Sequence, residues 1–218
     1  PVSNGVSQPL RGAIQFDNVT FVYPDTGIQA IEGLNLKLEP GQKLAIVGKT
    51  GSGKTSIADL LLRMYDVSEG AILIDGKDIK EHDLANLRER IGYVPQDVFL
   101  FSDTVGNNIA FGKRDAEQAE IEQFARYAAV YEDIQGLKNG FSTLVGERGV
   151  TLSGGQKQRV SIARALIKQP DIIILDDCLS AVDTNTEKQI LGYFNESLAD
   201  KTTIIITHRI YSLLSFDK

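Results

Sequence analysis

The run Gly48-Lys49-Thr50-Gly51-Ser52-Gly53-Lys54-Thr55 carries the densest chemistry in the sequence. Its glycines let the backbone curl until its N–H groups point inward at phosphate oxygens. A helical pattern, Ser56 to Met64, follows at once and turns its positive end towards the same charge. Lys54 supplies a full positive charge for the outer phosphates of a nucleotide, Thr55 a hydroxyl for Mg²⁺, and Ser56 extends the polar turn. A buried-strand pattern, Leu44 to Val47, precedes the loop, so the strand, loop and helix that a P-loop needs are all present. Kinases, motors and GTPases share this loop, and it therefore establishes nucleotide binding rather than a task.

A second chemical feature is Ile172-Ile173-Ile174-Leu175 running into Asp176-Asp177. A buried strand that ends in two carboxylates places them at the carboxyl edge of a sheet, where α/β folds hold ligands. One acid at a strand end is commonly a helix cap or a solvated turn. Together with the P-loop, Asp176 is better read as the acid that organises Mg²⁺.

These groups need a scaffold, and the hydrophobic pattern outlines one. Leu44 to Val47, Ile91 to Val94, Ile172 to Leu175 and Thr203 to Ile206 are short continuous aliphatic runs, the pattern of strands covered on both faces in a parallel sheet. Ile14, Phe16, Val19, Phe21 and Tyr23, and later Leu34, Leu36 and Leu38, come close to strict alternation and predict an antiparallel sheet at one edge, closed by the Pro40-Gly41 turn. The connection between the strands at Ile91 and Ile172 is too long for a loop, and it contains helical patterns at Ala116 to Val130 and Gln156 to Lys168. It should form a lobe of its own. The fold class is thus α/β, with a mostly parallel central sheet, an antiparallel β edge and an inserted helical subdomain. Residues 1–12, rich in Pro, Ser, Asn and Gly, read as a linker arm, and 13–218 as the folded domain, with 13–96 and 170–218 as core and about 97–169 as the lobe.

With 218 residues and 42% hydrophobic content, the chain can bury one sizeable core. A net charge of −6 opposes a general polyanion surface and makes nucleic acid an unlikely main partner. The single cysteine, Cys178, excludes an intrachain disulfide. No aliphatic run approaches the ~20 residues that span a bilayer, and nothing at the start has the pattern of a cleaved signal.

Upstream of the acidic strand lies Leu152-Ser153-Gly154-Gly155-Gln156, followed by Lys157-Gln158-Arg159 and a helix-forming run. Like the P-loop, it sets glycines and a hydroxyl at a helix start. With this LSGGQ sequence the chain resembles the ATPase domains of ABC transporters, from Ile14 to about Ile210. The resemblance implies ATP and Mg²⁺ as ligands and a head-to-tail pair of ATPase domains, in which the signature receives the γ-phosphate of the ATP bound by the opposite domain. It implies stacking of adenine on Tyr23, and sensing of Mg²⁺ and attacking water by Gln96 after Val94-Pro95. A D-loop reaching across to the partner domain would run from Leu179 to Asp183, and His208 would contact the γ-phosphate. ATP would be held by Tyr23, Gly48 to Ser56 and Gln96, and Mg²⁺ by Thr55, Gln96 and Asp176. Lys54, Gln96, Asp177 and His208 would carry catalysis. Taken singly, Tyr23 could be core, Gln96 a turn residue and His208 a helix cap.

One position departs from the pattern. Most active members have glutamate where this chain has Asp177, and the loss of one methylene shortens the reach by about 1.5 Å. Since a misplacement of about 1 Å can cost on the order of 10²-fold, slow hydrolysis at this site is expected, as in heterodimers with one weakened site. A homodimer in which Asp177 serves adequately is the alternative. Glu147, within Thr143 to Gly149, resembles the X-loop of exporters. Val98 to Val105 with Asn108-Ile109 resembles their segment after the glutamine, either as a docking groove for a transmembrane partner or as ordinary lobe core. The domain would then lie at the cytoplasmic face of a membrane, and family strands beyond Lys218 are expected. A non-transport ABC ATPase and a purely regulatory nucleotide-binding module are the alternatives. The first should show coiled-coil insertions or basic faces, and the second would tolerate loss of Lys54, Asp176 or His208.

Overall fold

A computed structural model describes residues 8–49, 51–146, 149–208 and 216–218. Along the chain β1 (Ile14–Val22), β2 (Gln29–Leu38) and β3 (Lys43–Val47) lead to α1 (Lys54–Leu61), β4 (Glu69–Ile74), β5 (Lys77–Asp78), α2 (Leu84–Arg90) and β6 (Ile91–Val94). The helical region follows as α3 (Val105–Ala110), α4 (Gln118–Tyr127), α5 (Tyr131–Gln135) and α6 (Gly154–Leu166), before β7 (Ile172–Asp176), α7 (Thr184–Ser197) and β8 (Thr202–Thr207). Two four-stranded sheets result, an antiparallel one in the order β2-β1-β4-β5 and a parallel one in the order β3-β8-β7-β6.

All four continuous aliphatic runs fall in the parallel sheet, in register with one another: Val47 lies opposite Thr207, Asp176 opposite Ile206 and Val94 opposite Leu175. The strands β7 and β8 are buried throughout. By contrast β3 is less covered than its aliphatic run implies, with Val47 57% exposed, because it lies at the margin of the sheet. Its outer edge is partly paired, since the N–H of Ala45 donates to the Lys218 carbonyl at 3.0 Å and that of Asp217 to the Lys43 carbonyl at 2.9 Å.

The imperfect alternation of β1 has a local cause. Ile14 and Phe16 face inward, the pairing slips between Phe16 and Val19, and then Val19 and Phe21 face inward. Asn18, at φ 46°, takes up the additional residue, and Gly70 of β4 packs so closely there that a Cβ would lie 2.4 Å from the carbonyl oxygens of Asp17 and Asn18. The hairpin of β4 and β5 turns at Asp75-Gly76, both with positive φ. Asp-Gly between alternating apolar residues is a strong hairpin signal, and the expectations from sequence do not include it.

The helix expected over Ala116 to Val130 is shorter, Gln118–Tyr127, and a separate helix, α5, begins beyond it at Tyr131. Glu117 opens α4 through a reciprocal cap with Glu120, and α4 ends at Tyr127 because Ala129 adopts φ 53°. The helix expected from Gln156 starts earlier, at Gly154, because Ser153 caps it.

Two hydrophobic clusters sandwich the parallel sheet. Ile172 and Ile174 of β7 and Ile204 and Ile206 of β8 join the cluster of β1, β4 and α1. Ile173, Leu175 and Ile205 join that of the helical region and α7. Residues 8–13, within and just after the expected linker arm, lie against the domain: the N–H of Leu10 donates to Asp171 at 2.9 Å, that of Ala13 to Asp75 at 2.9 Å, and the Thr202 hydroxyl to the Gly12 carbonyl at 2.7 Å. Among the described residues no helix is long and apolar enough to cross a membrane.

Candidate functional site

The parallel sheet decides where the chemistry gathers. Its strands end on one edge, so the loop after β3, Gln96 after β6, Asp176 and Asp177 at the end of β7, and His208 after β8 open onto the same cleft, of about 400 Å³. The cleft is also lined by Tyr23, Ser56 and the start of β2, Ile28 to Ala30.

The loop shapes itself around its lysine. Lys54 Nζ donates to the carbonyls of Gly48 at 2.8 Å and Lys49 at 2.6 Å and to Ser52 Oγ at 3.3 Å, while the Ser52 N–H closes a turn onto the Lys49 carbonyl at 3.2 Å. Gly53, at φ 78°, precedes α1, and a Cβ there would lie 2.2 Å from the Ala30 carbonyl oxygen. Only glycine fits. Thr50 lies outside the described residues.

On the floor of the cleft the Thr55 hydroxyl donates to Asp176 Oδ2 at 2.8 Å. Asp176 is 2% exposed, and burial raises its carboxyl above the ordinary carboxylate range, against the hydrogen bond from Thr55. A buried carboxylate beside a hydroxyl, with the exposed Gln96 amide on the same cleft, is an all-oxygen donor set of the kind a hard cation such as Mg²⁺ takes. Asp177, next along, adopts φ 44° with its N–H bonded to the Ile206 carbonyl at 2.8 Å. This left-handed turn swings the chain out of β7 at the rim of the cleft.

Tyr23 is anchored at both ends. Its ring meets Phe21 edge-on at 4.7 Å and Tyr65 at 5.3 Å, and its hydroxyl lies 2.8 Å from Ser56 Oγ and donates to Asp59 Oδ2 at 3.4 Å. Burial, with the Asp59 charge adding to it, raises the phenol above its usual range. Tyr23→Phe keeps the ring and removes the anchor. It is expected to raise the KM for a purine nucleotide by a few-fold with kcat little changed, about the ~1 kcal/mol of one such hydrogen bond, as initial-rate kinetics would read.

The LSGGQ residues lie elsewhere. Ser153 caps α6, accepting from the Gln156 N–H at 3.2 Å, while Gln156 Oε1 accepts from the Ser153 N–H at 2.9 Å. Gln156 Nε2 and Arg159 Nη1 both donate to Asp133, at 2.9 and 2.7 Å. Leu152 is buried in the helical-region core, and Ser153 and Gly154 are exposed at the helix start. None of Leu152 to Gln156 lines the phosphate-loop cleft. Gly155 packs so tightly on the following loop that a Cβ would lie 2.6 Å from the Ala181 carbonyl oxygen. Asp183 caps α7 by accepting from the N–H groups of Asn185 and Thr186, both at 3.1 Å.

The stretch after Gln96 divides. Leu100, Val105 and Ile109 are buried in the lobe, whereas Phe99 and Phe111 stay more than half exposed and flank Phe101. Arg164 holds this surface, donating to the Phe99 carbonyl at 3.0 Å and to Asn108 Oδ1 at 2.8 Å. Glu147 lies outside the described residues. Sequence reasoning misses Ile28 to Ala30, which carry no motif and reach the cleft because the turn from Tyr23 to Gly27 brings β2 back beside the loop. It also misses Asp133, for which the sequence offers no signal.

Known proteins share this arrangement of sequence and fold. The family model described as ABC transporter matches residues 31–180. The ATP-dependent lipid A-core flippases of Escherichia coli K12 and Shigella flexneri are each 44% identical over 214 residues, covering 98% of this chain. The chain spans only 37% of the length of those relatives. A solved bacterial Atm1-family ABC exporter with ATP bound superposes with a TM-score of 0.88 at 46% identity, over 95% of this chain and 36% of that one. Sequence and fold agree in these matches, and the chain belongs to the ABC transporter family.

Proposed function

We propose that this chain is the ATP-binding and ATP-hydrolysing domain of an exporter, working as one of a pair at the cytoplasmic face of a membrane. The observation that carries this reading is the meeting of Lys54, Thr55, Gln96, Asp176, Asp177 and His208 in one cleft while the exposed start of α6 lies outside it. A cleft with phosphate ligands and no signature, and a signature with no phosphate loop, are complementary halves, and two copies placed head to tail complete both.

In this reading adenine stacks on Tyr23, with Ile28 beside it. The N–H groups of the loop and the Lys54 ammonium hold the phosphates, exchanging the loop carbonyls for phosphate oxygens. Thr55, Gln96 and Asp176 would hold Mg²⁺, which when bound would offset phosphate charge. Asp177 orients water for attack on the γ-phosphorus and accepts the water's proton while the bond to the β-phosphate breaks and ADP leaves, and His208 donates to the γ-phosphate. Most of the rate gain then comes from positioning and charge. Ser153 and Gly154 receive the partner's γ-phosphate, and Asp183, beyond capping α7, reaches the partner through the loop at 179–183.

The transmembrane part docks on the helical lobe, residues 97–169, through the exposed Phe99 and Phe111, and the core comprises 13–96 and 170–218. The buried Leu100, Val105 and Ile109 remain lobe core. No nucleic-acid partner is proposed.

The test is complementation in the full-length transporter. Lys54→Ala and Ser153→Arg copies should each be inactive alone. Mixed dimers should regain ATP hydrolysis, because one composite site is then intact. Mixed dimers as inactive as either parent would overturn the head-to-tail pairing.

A further inference from the structure

Besides its buried side chains, the loop that carries Asp177 is tied by hydrogen bonds at both ends, to the sheet at one end and to α6 at the other. At its start the Asp177 N–H bonds to the Ile206 carbonyl of β8 at 2.8 Å, and the Ser180 N–H closes a turn onto the Asp177 carbonyl at 3.3 Å. At its far end it is gripped by a side chain of α6. Gln158 Oε1 accepts from the Ala181 N–H at 3.0 Å, and Gln158 Nε2 donates to Ser180 Oγ at 3.0 Å. Both ends of one amide are thus engaged on one short loop, in a place where Gln158 is only 6% exposed.

Polar groups this buried are costly to leave unpaired, so the amide keeps its two partners and the loop follows α6. The backbone reinforces the contact, because at Gly155 the helix approaches the Ala181 carbonyl too closely for any side chain. Gln158 lies in the first turns of the helix whose start is Ser153. The other side of that start is tied to α5 through Gln156, Arg159 and Asp133.

We propose that Gln158 is a positioning residue for hydrolysis: it fixes the loop of Asp177 to the signature helix, so that the water-orienting carboxylate moves with the turn at Ser153. This rests on the reading of Asp177 as the group that orients water. Gln158 touches neither nucleotide nor water in it and acts through the loop. A consequence follows for a pair of domains: whatever engages the exposed start of α6 in one copy shifts the Asp177 of that same copy.

The test uses the full-length transporter and the variant Gln158→Met, which keeps length and volume and removes both hydrogen bonds. The expected result is a fall in kcat on the order of tenfold, with the Kd of a fluorescent ATP analogue unchanged. Ser180→Ala removes one of the two bonds and should lower kcat less. The double variant should be no slower than Gln158→Met alone, since the two act through one clasp. An unchanged kcat in Gln158→Met, a fall matched by an equal loss of folded protein, or strictly additive effects of the two substitutions would each overturn the proposal. Wild-type protein that neither binds nor hydrolyses ATP would remove the functional reading itself, whereas active wild-type protein with an unaffected Gln158→Met variant removes only this inference.

Discussion

Lys54→Ala is expected to lower ATP hydrolysis by the full-length transporter on the order of 10²- to 10³-fold, the loss typical when one preorganised charge partner of a transition state is removed. The ammonium already lies inside the loop it serves, bonded to two carbonyls and a hydroxyl, and it has only to exchange the carbonyls for phosphate oxygens. Alanine removes the charge and also leaves the carbonyls of Gly48 and Lys49 without that donor. Thermal denaturation provides a second readout: MgATP should raise the midpoint of the wild type and not that of the variant, because a ligand stabilises a fold only in so far as it binds it. Near-normal hydrolysis in Lys54→Ala would mean that the nucleotide sits in some other cleft.

The opposite sign is expected at Asp177. Asp177→Glu restores the methylene that this chain lacks and should raise the hydrolysis rate at this site, by up to about 10²-fold if the present shortfall is near 1 Å. The backbone at φ 44° sets a modest opposing cost, since aspartate tolerates the left-handed region better than glutamate. That cost acts on the fold of the loop, whereas the gain acts on the reaction, so single-turnover rates measured on protein of equal folded fraction separate them. An unchanged rate in Asp177→Glu would dismiss the weakened-site reading and leave the homodimer with a competent aspartate. Asp177→Asn should abolish the hydrolysis at this site under either reading.

Much of this site is legible in the sequence because its signals are local. The P-loop, the acidic end of β7 and the cap at Ser153 each depend on a few neighbouring residues whose types fix a backbone shape. Continuous aliphatic runs mark the four parallel strands, because strands covered on both faces, β7 and β8 above all, leave no room for polar alternation. Contacts decided by distant residues are not legible. Nothing in Ile28, Gln29 or Ala30 announces that they border the cleft of the P-loop, and nothing in Asp133 announces its bonds to Gln156 and Arg159. The break between α4 and α5 is hidden because Ala128-Ala129-Val130 continues a helical pattern, while the backbone at Ala129 leaves it. The β4–β5 hairpin differs from these, since its Asp-Gly turn is a local signal that the sequence does carry.

The sharing of the parallel strands between two clusters has a thermodynamic corollary. Each of β7 and β8 contributes alternate side chains to the cluster on either side of the sheet, so melting either cluster would strip one face of the strands that the other still needs. Losing the helical half would wet Ile173, Leu175 and Ile205, and losing the antiparallel half would wet Ile172, Ile174, Ile204 and Ile206. The sheet therefore couples the two halves into one cooperative unit, and Asp176 at the end of β7 and His208 just after β8 stand on strands that both halves share.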